Sequence, residues 1–125
     1  SSAASDVYKR QLYINKFDER IQTSLCYIED NLMDGSSIED VAAYVSLSPS
    51  HFSRLFKNVT GSSYTDYITD VRLQHTQILL GTTDLSINDI AAKVGVSNGN
   101  YISTLFKKRY GITPTDYRKE IKKSM

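Results

Sequence analysis

The sequence predicts an all-α protein of seven helices, in which a long connecting helix joins two helix-turn-helix subdomains. Apolar residues recur every three to four positions, which is the period of a helix. A segment that begins at Ser37 is repeated from Ser86, and glycines stand where successive helices would end. The chain has 125 residues, 40% of them apolar, and a net charge of +1. This composition fits one core of ordinary size or two small ones, and it disfavours intrinsic disorder.

The amino-terminal part divides into a leader and a helix. Residues 1–12 lack helical periodicity, so we expect a flexible leader or linker remnant there. Apolar positions from Ile14 to Leu32 recur at helical spacing and predict one amphipathic helix that ends near Met33, with Gly35 as its stop. We place the first subdomain, including this helix and the connecting helix, at residues 13–80 and the second at residues 81–125.

The internal repeat is the most informative feature of the chain. Ser37–Val45 and Ser86–Val94 are identical at six of nine positions. One extra residue then enters the second copy, after which Leu55–Lys57 matches Leu105–Lys107. Each copy opens with apolar residues at i, i+3, i+4 and i+7, which predicts a short helix with one buried stripe. Two copies are too few for a solenoid, so the repeat indicates two related subdomains.

Serines and prolines mark the helix starts within each copy. Ser37 and Ser86 can each cap the amino end of a first helix. Ser48 with Pro49 is the pattern of an N-cap followed by proline at the first helical position, and Ser97 stands at the corresponding place in the second copy. A short helix, a tight turn and a second helix form a helix-turn-helix.

Glycines mark the ends of the longer helices. Gly61 and Gly111 are expected to end the second helix of each copy in the left-handed conformation. The connecting helix is predicted from Ser63 to Leu80, closed by Gly81, and a final helix follows Thr113-Pro114. At 1.5 Å per residue the connecting helix would be about 27 Å long. This is close to the ~34 Å that separates successive major grooves on one face of DNA.

Composition excludes several classes of protein. The single cysteine, Cys26, cannot form an internal disulfide or a cysteine-rich zinc site, and we expect it to be partly buried. The longest apolar run, Val41–Val45, is too short to cross a bilayer, so a cytoplasmic location is expected. His51 and His75 have no neighbouring acids, and the glycines form no phosphate-binding loop. We therefore expect neither an enzyme nor a cofactor or metal.

Charge is distributed unevenly along the chain. The net charge is −2 over residues 1–35, −1 over residues 36–80 and +4 over residues 81–125. A basic final third favours a polyanionic partner, of which nucleic acid is the commonest, although a solvated helix surface has the same composition.

The second helix of each copy is the candidate for reading DNA, because that helix of a helix-turn-helix faces the major groove. The residues expected to face outward are polar or basic. They are Ser50, His51, Ser53, Arg54, Lys57 and Asn58 in the first copy, and Asn98, Gly99, Asn100, Tyr101, Ser103, Thr104, Lys107 and Lys108 in the second.

From about Ile21 to Ile121 the chain resembles the DNA-binding domain of the AraC/XylS transcriptional regulators. The residues that carry the resemblance form two motifs. The first contains Val41-Ala42, Leu47-Ser48-Pro49, Phe52–Lys57, Gly61, Tyr67 and Arg72-Leu73. The second contains Leu79-Leu80, Ile87, Ile90-Ala91, Val94-Gly95, Phe106–Lys108, Gly111, Thr113-Pro114 and Tyr117-Arg118.

The resemblance implies a sequence-specific regulator that inserts two recognition helices into successive major grooves. By position, the implied base-reading residues are Ser50, Ser53, Arg54, Asn100, Ser103 and Thr104. Residues expected at the DNA backbone are Ser48, Lys57, Arg72, Ser97, Lys107, Lys108 and Arg109. The implied partners are double-stranded DNA with an asymmetric operator, RNA polymerase, and an upstream sensor or receiver domain. A helical protein-interaction module without DNA binding is the alternative.

The two recognition helices differ in their base-reading chemistry. Arg54 can donate two hydrogen bonds to one guanine, whereas the equivalent residue of the second copy is Thr104. We therefore expect sharper base discrimination beneath the first helix, unless Asn100 binds an adenine in the same bidentate way.

Overall fold

The computed structural model describes residues 19–34 and 37–124, and within these residues it contains helices and no strands. The all-α fold class with seven helices is confirmed for this part of the chain. The helices are α1 over residues 19–30, α2 (Ile38–Tyr44), α3 (Pro49–Thr60), α4 (Tyr64–Thr82), α5 (Ile87–Lys93), α6 (Gly99–Tyr110) and α7 (Pro114–Ser124). The predicted leader at residues 1–12 lies outside the described residues.

The first of two compact units contains the first helix-turn-helix, α2 and α3. Its core includes Phe52 and Phe56, both fully buried on the inner face of α3. The rings of Tyr64 and Tyr67, at the start of α4, meet the Phe56 ring edge-on at centroid distances of 5.8 and 5.3 Å. This aromatic cluster fixes which side of α3 faces solvent, because edge-to-face rings pack in a defined orientation.

The second unit contains α5 and α6 and has its own apolar core. Ile90 of α5 and Ile102 and Phe106 of α6 are fully buried there. Arg118 of α7 closes the unit by donating from all three guanidinium nitrogens, at 2.8 to 3.2 Å, to the backbone carbonyls of Leu80, Thr83 and Leu85. Side-chain donors thus satisfy carbonyls where α4 ends, as buried helix ends require.

The boundary between the units lies inside α4, whereas the sequence placed it after Leu80. The contacts divide the chain between Tyr67 and Ile68. The physical reason is that Leu73 and Leu80 pack into the second core, so most of α4 belongs with that unit. The prediction that Gly81 closes the connecting helix is wrong, because Gly81 lies within α4, which ends at Thr82.

Leu32, two residues after the end of α1, belongs to the second unit. α1 is helical to residue 30, earlier than the predicted end near Met33, and Leu32 then packs with the second unit at 6% exposure. Gly95, in the turn before α6, has a φ of +82°, and a Cβ at that position would overlap the Leu32 carbonyl oxygen. Glycine is required here for both backbone conformation and space.

Cys26 is exposed, so the expected partial burial is wrong. The buried stripe of α1 passes through Ile21, Ser24 and Ile28, and Cys26 lies off that stripe. The Ser24 hydroxyl donates a hydrogen bond to the Ile21 carbonyl at 2.6 Å. This bond allows a polar residue to occupy the buried face of α1.

Candidate nucleic-acid interface

Both helix-turn-helix motifs begin with the predicted serine caps. The Ser37 hydroxyl accepts from the Asp40 amide and the Ser86 hydroxyl from the Asp89 amide, each at 3.1 Å. A capped amino end fixes the residue at which α2 and α5 each begin. The repeat seen in the sequence is therefore a repeat of local geometry.

The recognition helix α3 has one buried and one exposed face. The Ser48 hydroxyl accepts from the His51 amide at 3.2 Å, and Pro49 occupies the first helical position, as predicted. Gly61 ends the helix with a φ of +79°. The predicted outward residues Ser50, His51, Ser53, Arg54, Lys57 and Asn58 are all exposed, and no described residue forms an ion pair with Arg54 or Lys57.

The N-cap of the recognition helix α6 is one residue later than Ser97. Asn98 is its N-cap, with a side-chain oxygen that accepts from the Tyr101 amide at 2.8 Å. The second copy has one extra residue near this point, and its cap is therefore Asn98 and not Ser97, the residue that corresponds to Ser48. Ser97 is exposed just outside the helix, and Gly111 ends α6 with a φ of +76°.

Most predicted outward residues of α6 are exposed, with two differences. Gly99 is buried, because its amide donates to the Asn88 side-chain oxygen at 2.8 Å and α5 approaches it closely. Ser103 is half-buried. The Thr104 hydroxyl donates to the Asn100 carbonyl at 3.0 Å, so it remains available mainly as an acceptor. The exposed residues are Asn98, Asn100, Tyr101, Thr104, Lys107 and Lys108.

Sequence reasoning missed Asn88, which holds the amino end of α6. Its position in the repeat corresponds to Glu39, and this difference between otherwise similar segments was the available signal. An amide side chain can accept from the Gly99 N–H without introducing a charge beside the recognition helix. Asn88 therefore positions α6 through its first peptide group.

The expected backbone-contacting arginines are in different environments. Arg109 lies at the end of α6, and its Nε is 3.3 Å from an Asp70 carboxylate oxygen of α4, with 57% and 40% of the two side chains exposed. Arg72 is half-buried, and its Nε is buried without a hydrogen-bond partner. Arg72 and Ser97 line the same cavity, so the structure brings together two of the predicted residues.

The described ionisable groups with shifted pKa values are two half-buried tyrosines. Burial is the main reason that the pKa of Tyr110 is above its ordinary value; Arg109 opposes the shift and Asp70 adds to it. Burial, with a contribution from Glu29, also raises the pKa of Tyr67. Both side chains are neutral phenols at neutral pH. Within residues 19–34 and 37–124 no group of His, Cys, Asp and Glu side chains could hold a metal ion.

No helix in the described residues has the length and apolarity needed to span a membrane.

A family model described as a helix-turn-helix domain matches residues 41–120. Among curated relatives, the regulatory protein PocR of Salmonella typhimurium is 36% identical over 104 residues, which are 83% of this chain and 34% of the relative. The chain thus spans about a third of the length of this relative.

Two solved structures are similar in fold. A transcriptional regulator from Chromobacterium violaceum, described as an AraC-type DNA-binding domain-containing protein, is 29% identical. Its TM-score is 0.78, and the match covers 83% of this chain and 93% of that one. The DNA-binding domain of AdpA, solved with a target DNA, is 24% identical with a TM-score of 0.79, over 82% and 93% of the two chains. At that identity the likeness concerns the fold alone.

The matched helix-turn-helix model, the repeated caps and turns, and the fold shared with these structures agree, and the chain belongs to the AraC/XylS family of DNA-binding domains.

Proposed function

We propose that this chain binds double-stranded DNA as the output domain of a transcription regulator, with α3 and α6 entering successive major grooves. The observation that carries the proposal is the two-faced character of both helices. Each buries an aromatic and aliphatic stripe and exposes short polar side chains in its first turns, followed by lysines. Short side chains allow close approach to bases, and lysines farther along can reach phosphates.

The proposed base-reading residues are those at the exposed edges of the two helices. Arg54 is exposed and unpaired among the described residues, so its guanidinium is free to donate to a guanine edge. The full set is Ser50, Ser53, Arg54, Asn100, Ser103 and Thr104. The half-burial of Ser103 and the internal hydrogen bond of Thr104 support weaker base readout by α6 than by α3.

The proposed backbone contacts surround these residues. Lys107 and Lys108 are exposed in the last turn of α6 and have no ion-pair partner among the described residues. The full set is Ser48, Lys57, Arg72, Ser97, Lys107, Lys108 and Arg109. Two unlike recognition helices favour an asymmetric operator over a palindrome.

The full regulator would have further parts and partners. The relative named above is described as a regulatory protein and is about three times as long as the matched segment. We propose that this segment acts with an upstream sensor or receiver domain and with RNA polymerase, in the cytoplasm. Its role in that assembly is binding rather than catalysis.

The salt dependence of duplex binding tests the proposal. Four to eight phosphate contacts predict that log K falls against log salt with a slope of about −4 to −7. Replacing Lys107 and Lys108 by glutamine should reduce the magnitude of the slope by about two. The matched control replaces Lys119 and Lys123 of α7, which changes net charge equally and should leave the slope nearly unchanged.

A flat salt dependence would contradict DNA binding and would favour a helical protein-interaction module. Equal effects of the two double variants would mean that the cationic end of α6 is not at the DNA.

A further inference from the structure

Among the described residues, Tyr101 is the large hydrophobic side chain that a recognition helix leaves exposed. It lies in the first turn of α6 and is 54% exposed. The other large hydrophobic residues exposed to this degree are Met33, Tyr44 and Ile78, and none of these lies in α3 or α6. Single exposed apolar residues are common on protein surfaces, so the position of Tyr101 is more informative than its exposure.

Tyr101 lies on the face of α6 that carries the proposed DNA contacts. Thr104 and Lys108, three and seven positions later, share its side of the helix and are both exposed. At about 100° per residue, Ser103 lies at the other edge of this face, where it is half-buried. The exposed surface of α6 is therefore displaced towards the edge that Tyr101 occupies.

The Tyr101 ring extends towards the amino end of α6. Side chains of a helix lean towards its amino end and cover the preceding turn. In agreement with this direction, Tyr101 lines a cavity of about 100 Å³ together with Ser97, which precedes the N-cap Asn98. The amino end of a recognition helix is the part that contacts base edges in the major groove. The ring is thus at the base-contacting end of α6.

Two hydrogen bonds fix the backbone that carries Tyr101. Its own amide donates to the Asn98 side-chain oxygen at 2.8 Å. The amide of Gly99, two residues earlier, donates to the Asn88 side-chain oxygen, also at 2.8 Å. A tyrosine side chain has few rotatable bonds, so its contact with a partner costs little conformational entropy. Tyr101 therefore offers a large apolar surface from a fixed position.

An aromatic ring at this position suits an apolar group of a base. Thymine presents a methyl group in the major groove, and apolar side chains recognise it by direct contact. Hydrogen-bonding capacity nearby is reduced, because the Thr104 hydroxyl donates to the Asn100 carbonyl at 3.0 Å. A van der Waals contact from Tyr101 would give α6 a base preference that needs no hydrogen bond.

We propose that Tyr101 recognises the 5-methyl group of one thymine through its aromatic ring. The proposal rests on the DNA-binding function proposed above and adds a residue outside the base-reading set named there. It assigns part of the specificity of α6 to an apolar contact. One methyl contact discriminates less than the two hydrogen bonds that Arg54 can donate to a guanine, so the weaker discrimination expected beneath α6 is retained.

Uracil tests the proposal, because it differs from thymine only by the missing methyl group. The probe is a duplex that the unsubstituted protein selects from a random library, with each thymine replaced in turn by uracil. One replacement should weaken binding about three- to fivefold, which is the effect of one buried methyl group. This position should lie in the half-site whose base preferences do not respond to Arg54→Ala.

Variants of Tyr101 connect that position to the ring. Tyr101→Ala should bind the thymine and uracil duplexes equally, whereas Tyr101→Phe should keep the preference because it keeps the ring. Tyr44→Ala is the matched control, since Tyr44 is 59% exposed but lies outside both recognition helices, and it should keep the preference. Both affinities are measured on the same protein sample, so partial unfolding of a variant does not change their ratio.

Two results would overturn the proposal while leaving DNA binding intact. One is a selected site without a required thymine in that half-site, or with a thymine preference that survives Tyr101→Ala. The other is an equal loss of affinity in Tyr101→Phe and Tyr101→Ala without any thymine preference, which would make the hydroxyl the contacting group. Failure of the unsubstituted protein to select any duplex would defeat the proposed function and this proposal together.

Discussion

Alanine at Gly99 should destabilise the second helix-turn-helix, although Gly99 is in a helix where alanine is normally preferred. Gly99 is the first residue of α6, and its φ is not in the left-handed region, so its backbone conformation is open to alanine. A Cβ there would lie 2.6 Å from the Asn88 side-chain oxygen. That oxygen accepts from the Gly99 amide at 2.8 Å, so one substitution both crowds and breaks the contact.

The expected cost follows from three contributions. Moving the Asn88 side chain away leaves a partly buried amide unpaired, which costs about 1–3 kcal/mol. The Cβ would also lie 3.2 Å from the Asn88 backbone nitrogen and from the Ile87 Cγ2, contacts whose relief costs up to about 1–3 kcal/mol. Reduced freedom of the unfolded chain offsets about 0.4–1 kcal/mol. We expect a net loss of about 2 kcal/mol in the free energy of unfolding.

Urea unfolding followed by circular dichroism measures this loss. Gly81→Ala is the matched control, because Gly81 lies within α4 and its Cβ would meet only the flexible Ile121 side chain, at 3.4 Å. That control should be neutral or stabilising by up to about 1 kcal/mol. In an Asn88→Ala background, Gly99→Ala should cost at least about 1 kcal/mol less than in the unsubstituted protein.

Gly99→Ala as stable as Gly81→Ala, or a cost unchanged by Asn88→Ala, would refute the reasoning. Either result would mean that Asn88 does not hold the amino end of α6.

Three further substitutions test other parts of the molecule. Arg54→Ala should cost about 1–3 kcal/mol of DNA affinity and relax the sequence preference at one or two base pairs. A base-pair substitution scan of the operator measures the discrimination beneath each helix. Equal or larger penalties beneath α6 than beneath α3 would contradict the sharper discrimination expected for α3. Arg118→Ala should lower the free energy of unfolding by about 2–4 kcal/mol in urea titrations, because three carbonyls lose their donor; a loss below about 0.5 kcal/mol would contradict this. Asp70→Asn should free Arg109 and strengthen duplex binding by about two- to fivefold at low salt, measured by fluorescence anisotropy, with no gain at high salt. Asp84→Asn is its charge-matched control, and an equal gain from that variant would exclude a specific effect of Asp70.

Helix caps, helix ends and exposed helix faces could be predicted from the sequence, because each depends on residues close together in the chain. Ser37, Ser48 and Ser86 cap helices as expected, because a serine side chain at an N-cap reaches the amide three residues later. Gly61 and Gly111 adopt the left-handed conformation, which few other residues tolerate. The exposed face of α3 followed from periodicity alone.

Features that depend on distant residues could not be predicted in this way. The Asp70 partner of Arg109 lies 39 positions away in the chain. Leu73 and Leu80 are compatible with either core by hydropathy, and only packing shows that they join the second. The cap of α6 is Asn98 and not Ser97, the residue that corresponds to Ser48 in the repeat, and nothing in the local sequence indicated this shift. For the candidate site, local periodicity predicted most exposed positions but missed the burial of Gly99 by Asn88.

The contact of Gly95 with the Leu32 carbonyl has a consequence for protein engineering. The unit that contains the second helix-turn-helix is not one continuous stretch of sequence, because residues 32–34, which come shortly after α1, belong to it. A hybrid regulator that exchanges only residues 68–124 with a relative would join the Gly95 turn to a foreign partner segment. Exchanging residues 32–34 together with residues 68–124 keeps the native pair, so the exchangeable module of this protein is discontinuous.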